Sequence, residues 1–233
     1  MTCNGAEEPE RAQRAAIEWV VDQQNVTGGE ILLYVPRKGD LDTMNNDISR
    51  FAKESGVVVG TWRGHVGNWS GGPVLAVAPT RDKLAEIADD CRVRALCVVP
   101  WNAHETAAWE QAVHPELLAG ASATTVSPDL DRVVVIGLTY LTHMVNHGNA
   151  LAGALDHRDA VAVLRTLHRG GYRLPADAVY SWSLANGWPA GGAERLRDIA
   201  SRIDAGRVVQ LKGGSPLRPD VLERWQAEAA EDK

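Results

Sequence analysis

The chain has 233 residues, 45% of them hydrophobic and 23% charged, and a formal net charge of −6. This is a globular composition, enough for one large domain or two small ones, and its acidic balance argues against a protein that binds nucleic acid with its whole surface. Cys3, Cys91 and Cys97 form neither an even disulfide set nor a CxxC pair, so they read as reduced thiols of a cytoplasmic protein; the N-terminal "MTCNGAEEPERAQR" has no apolar core of a signal peptide, and no run approaches the ~20 apolar residues of a membrane span.

In chain order, residues 10–26 carry Ala15, Ile17, Trp19, Val20 and Val21 at near-helical spacing and predict an amphipathic helix that ends at Gly28-Gly29. Ile31–Val35 is a short buried strand. After Pro36, Asp40 is the expected N-cap of a helix running to about Glu54 and stopped by Gly56. Residues 57–62 are the next strand, followed by the glycine-rich loop "RGHVGNWSGG" at 63–72. A third strand occupies 74–78; Thr80 is the expected cap of a helix to about Asp90. Residues 95–99 form a fourth strand, and "NAHE" at 102–105 resembles a capping box, with a helix to about Leu118. Cys97 falls within that strand as a small hydrophobe.

Three of these strands end at a proline: Pro36, Pro79 and Pro100. Proline disfavours the α conformation in the residue before it and cannot donate to a sheet ladder, so it closes a strand and lets the next cap open a helix. Repeated strand–helix units predict a mainly parallel, Rossmann-like α/β sheet with flanking helices over 9–120. Strand order is not derivable, and the ten-residue loop at 63–72 is short for a parallel crossover between the second and third strands, which leaves their relative direction open.

"GASATTVS" at 120–127 is the expected linker to an α-helical bundle over 127–230. Its first helix is expected to have Ser127 as N-cap and Pro128 at the first position, with Leu130, Val134, Leu138, Leu141 and Val145 on one face; "VVVI" within it also admits a strand. Further helices are expected at 157–169, capped by Asp156, at 175–186, through "AGGAERLRDIASRID", and through "RPDVLERWQAEA", with "RVVQL" extended.

In open α/β sheets, ligands bind beyond the carboxyl ends of the strands. Those ends carry Arg37, Lys38 and Asp40; Arg63, His65 and Asn68; Thr80 and Arg81; and Trp101, Asn102, His104 and Glu105. Cations predominate, so the expected ligand is a small anion. Arg63 and Trp69 are paired as its central residues, the guanidinium for charge and the indole to close over a ring. The loop holds no lysine and no GxGxxG, and a strand follows it, so neither standard phosphate-loop motif applies.

"LAVAPTRDKL" resembles the P-T-R-E-L segment of DEAD-box-type helicases, but the Walker A lysine and the D-E-x-D strand end that bind ATP and metal there have no counterpart, and nothing carries over. "HMVNH" places His143 and His147 at i, i+4, the spacing of a zinc-binding helix, with Met144 in place of the catalytic glutamate; the two are expected to be structural, on a face with Ile136 and Tyr140 that meets the other domain. Residues 150–218 hold ten Lys/Arg against six Asp/Glu, a local excess of four positive charges, interleaved as on solvated helices.

The resulting expectation is a cytoplasmic binding or interaction protein of unknown reaction and unknown cofactor, taking a small anionic ligand at the strand carboxyl edge. Its other expected partners are a protein or a second copy of the chain, with no membrane. Two alternatives stand beside it: an enzyme acting on a nucleotide or phosphorylated metabolite, and a nucleic-acid accessory protein that uses the helical domain.

Overall fold

The computed structural model describes residues 7–42, 46–62, 64, 66, 68–118, 129–211 and 213–231. Four strands, β1 (Ile31–Val35), β2 (Val57–Thr61), β3 (Gly72–Val77) and β4 (Val93–Val99), form one sheet in the order β2-β1-β3-β4, and every pairing is parallel. The fold is α/β, Rossmann-like, and is followed by C-terminal helices. Helices α1 (Glu7–Thr27), α2 (Asn46–Phe51), α3 (Arg81–Ala88) and α4 (Ala103–Val113) accompany the sheet in sequence.

One sheet face carries Ile31, Leu33, Val35, Leu75, Val77 and Cys97, packed on Ala16 and Val20 of α1 and on Ile48 and Phe51 of α2. Those strand residues alternate, as a period of two requires, while both faces are buried, which is why β1 and β3 read as unbroken apolar runs. The opposite face carries Tyr34, which borders a small cavity with Glu86 and Ile87 of α3 and Val66 of the loop.

β2 and β3 are parallel but are not neighbours, because β1 lies between them. The residues from Trp62 to Gly71 therefore step over one strand, about 10 Å sideways, and return along a strand length of about 16 Å. Ten residues reach about 33 Å when extended, so no helix is needed to make this crossover. The loop is fastened at the amino ends of the strands: the Gly71 carbonyl accepts from Glu30 N at 3.1 Å and Gly72 N donates to Arg92 O at 3.0 Å. A Cβ on Gly72 would lie 2.4 Å from the Glu30 carbonyl oxygen, so that approach requires glycine.

Several expected helix starts move. Residues 38–42 form a 3-10 turn in place of the first turn expected after Asp40, and α2 begins at Asn46. The α4 helix stops at Val113, five residues before Leu118. Thr80 occupies the N-cap position of α3, but its hydroxyl turns to Asp82 and makes no cap bond to a backbone amide.

The chain forms two compact units, Met1–Ala107 with Pro115–Thr124, and Ala108–His114 with Thr125–Lys233. The second unit holds α5 (Arg132–Met144), α6 (Ala154–Arg169), α7 (Ala176–Ala185), α8 (Ala190–Asp204) and α9 (Val221–Glu231). "VVVI" is helical, within α5. That helix starts at Arg132 with the Asp131 carboxylate accepting from Val133 N; the expected cap Ser127 and Pro128 lie outside the described residues. Val134, Leu138 and Leu141 are fully buried, and Gly137 lets α6 come close, since a Cβ there would stand 3.0 Å from Leu167 Cδ1. Gly153, not Asp156, caps α6; the Asp156 carboxylate instead accepts from Asn146 N and Asn149 Nδ2. The segment 207–211 forms no strand; Val209 is buried there and its carbonyl accepts from Arg165.

Candidate functional site

A cavity of about 680 Å³ lies at the carboxyl edge of the sheet. All four strand ends supply it: Pro36 after β1, Trp62 after β2, Ala78 and Pro79 after β3, and Pro100 and Trp101 after β4. The strand–proline junctions thus converge on one hollow. The chain leaves β1 toward β2 on one side, and β3 leads to β4 on the other, so this is the point where the strand order reverses.

Local geometry supports the hollow. Ala78 takes the left-handed conformation, φ 52°, while its N–H donates to Val99 O at 2.7 Å. A non-glycine residue there costs about 1–3 kcal/mol and is held by its surroundings. The turn carries Pro79 and Thr80 toward the cavity. Trp101 is 89% exposed on the rim, an unusual place to leave an indole. Gln13 enters from α1, on the face that buries Ala16 and Val20 three and seven residues later.

The described part of the lining is acidic; Arg63, His65 and the side chain of His104, on which the anion-binding expectation also rests, lie outside the described residues. Among the described lining residues there is no lysine or arginine, and Asp40 and Glu105 supply carboxylates. Glu105 also occupies the amino end of α3, where its Oε2 accepts from Arg81 N at 3.2 Å. A helix amino end that would favour a phosphate therefore already carries a carboxylate. Two lining residues also carry a buried polar atom, Gln13 Oε1 and Trp62 Nε1, that has no hydrogen-bond partner among the described residues.

The sequence candidates separate accordingly. Thr80, Trp101 and Asn102 line the cavity. Arg37, Asn68 and Arg81 are described but do not line it; Arg63 and His65 lie outside the described residues, as does the side chain of His104. Trp69 is a correction. It is 2% exposed and sits at the amino ends of the strands, its Nε1 donating to Glu30 O at 2.7 Å. The Arg92 guanidinium lies over its ring, 5.2 Å from the centroid, and donates to its carbonyl. A loop that returns the full length of a strand places its last residues at the opposite end from its first, so Trp69 cannot share a site with the strand carboxyl ends.

Trp62 and Gln13 were not among the sequence candidates. Trp62 directly follows β2 and so was within reach of the edge argument; Gln13 comes from α1, before the first strand, where spacing along the helix does not set it apart.

The histidine pair also changes. The α5 helix ends at Met144 and Val145 is extended, so His143 and His147 do not share a helical face. His143 is exposed, whereas His147 packs edge-on against Trp188, 4.9 Å between centroids, with Nε2 bonded to Thr142 O. Tyr140 packs at a tilt of 60° against Trp225 of α9, 5.6 Å between centroids, within its own unit. No group of three or more His, Cys, Asp or Glu placed to hold a metal occurs among the described residues, and no described helix is long and apolar enough to cross a membrane. Arginines of the basic segment are engaged locally: Arg158 with Asp159, Arg173 with Asp204, and Arg197 with Asp177 and Glu194.

Residues 130–226 match the model of a domain of unknown function, DUF1889. The match covers less than half of the chain, lies within the helical unit, and does not reach the cavity at the sheet edge. No curated protein and no solved structure matches the chain.

Proposed function

We propose that the protein binds a small planar molecule, neutral or cationic, in the cavity at the carboxyl edge of its sheet. The observation that carries this reading is the convergence of all four strand ends on one hollow that holds two tryptophans and two carboxylates and, among its described lining residues, no basic side chain. Its volume, about 680 Å³, falls in the ordinary range for small-molecule sites, roughly 300–1,000 Å³. Exposed Trp101 supplies a flat face for stacking, and an indole also attracts a cationic ring. A neutral or cationic ring is preferred here to the small anion because Asp40 and Glu105 stand within the described lining while Arg37 and Arg81 stand outside it.

Thermal melts and calorimetric titration test this. Quinoline and indole should raise the melting temperature of the wild-type protein and have a smaller effect on Trp101→Ala, while inorganic phosphate and citrate should leave both unchanged. Stabilisation by phosphate or citrate, without any by the aromatic probes, would return the site to an anionic ligand.

A further inference from the structure

We infer that Glu105 sets the charge selectivity of the sheet-edge cavity, so that its ligand is a cationic aromatic nitrogen heterocycle of the quinolinium or pyridinium kind. The inference rests on the binding reading above and narrows it from a neutral or cationic ring to a cationic one. Glu105 is the third residue of α4. In a capping box, a glutamate at that position turns back to the start of its own helix. Here its Oε2 reaches across to α3 and accepts from Arg81 N at 3.2 Å. That bond fixes where the carboxylate stands. Arg81 is the first residue of α3, and Thr80, directly before it, lines the cavity together with Glu105.

Two opposing charges decide the sign of the field beside Thr80. The amino end of a helix carries about half a positive charge and draws anions. The Thr80 hydroxyl does not offset it by capping an amide; it donates to Asp82 instead. The Glu105 carboxylate brings a whole negative charge to the same place, which leaves a net negative charge of about one half there. Asp82 is exposed and does not line the cavity, so water and salt screen it. An anion entering beside Thr80 is therefore repelled by Glu105, and a cation is attracted. Exposed Trp101 on the rim then offers an indole face to a flat cation, an attraction that a neutral ring shares only in part.

Three probes on one ring system test this with the full-length protein: 1-methylquinolinium, quinoline and quinoline-2-carboxylate. Titration calorimetry should rank them in that order for the wild type. Glu105→Gln removes the charge and keeps an amide oxygen to accept from Arg81 N. It should shift the affinity ratio of 1-methylquinolinium to quinoline-2-carboxylate by about ten-fold or more toward the carboxylate, the scale of one charge at close range in a partly screened site. In ¹⁵N-labelled wild-type protein the Arg81 amide resonance should move on adding 1-methylquinolinium, because the cation draws on the carboxylate that holds that amide; this measurement does not depend on the variant folding. An unchanged ratio in Glu105→Gln, an Arg81 amide unmoved by the bound cation, or quinoline binding as tightly as 1-methylquinolinium would overturn the inference and leave the binding reading in place. Quinoline-2-carboxylate binding ahead of the other two in the wild type would overturn it in favour of an acid. Failure of all three to bind would remove the inference together with the reading it rests on.

Discussion

Trp69 and Trp62 lie in the same loop and do different work. Trp69 closes the amino end of the sheet, so Trp69→Phe should remove its bond to the Glu30 carbonyl and lower stability by about 1–3 kcal/mol, read as a shift of the urea midpoint, with probe binding intact. Loss of binding at an unchanged midpoint would put Trp69 back in the site. Cys97 gives a second test at this scale. Burial between β3 and α1 pushes its thiol from the ordinary 9.0 up to about 12. A group whose native pKa is raised contributes stability in full below its unfolded pKa. That contribution declines as pH rises from about 9 to about 12, where the unfolded thiol ionises and the native one does not. At pH 8, therefore, a thiol reagent should label exposed Cys91 quickly and Cys97 only at the rate of unfolding, as peptide mass mapping would show. Equal labelling of both would mean that the strand is open to solvent.

Strands were the most legible elements. The apolar runs at 31–35, 74–78 and 95–99 and their closing prolines mark real strand ends, because proline acts through local sterics that need no tertiary context. Two things were not local. The first was strand order: β1 separates β2 from β3, and the ten-residue crossover that results also decides that Trp69 and Trp62 lie at opposite ends of the sheet. The second was the choice among competing caps. Asp131 takes the start of α5, and Gly153 takes the start of α6 while Asp156 turns back to Asn146. Asp131→Ala should cost about 0.5–2 kcal/mol, measured by thermal or urea unfolding, since the Val133 amide loses its acceptor. No loss of stability would mean that another group caps the helix. The site was legible in part: strand-end reasoning reached Thr80, Trp101 and Asn102, whereas Gln13 comes from the helix before the first strand, where nothing in local spacing points to the edge.

In the whole molecule, the helical unit includes Ala108–His114, so it begins before the expected linker at 120–127. Within it the buried Ser181 hydroxyl donates to Ala108 O at 2.9 Å, and Trp109 is 8% exposed. We propose a proteolytic boundary within 118–130; a fragment cut there should melt at a lower temperature than one that begins at Ala108, because it lacks these partners. Equal melting temperatures would show that Ala108–His114 adds nothing to the unit. The sheet edge, not the helical unit that DUF1889 matches, is the part of the chain to which we assign ligand binding. Crystals of the full-length protein soaked with a library of small aromatic fragments test that assignment most directly. Bound fragments are expected among Trp62, Ala78 and Trp101, stacked on an indole. Bound fragments confined to the helical unit, for example beside Trp182, with the sheet edge empty in every soak, would contradict it.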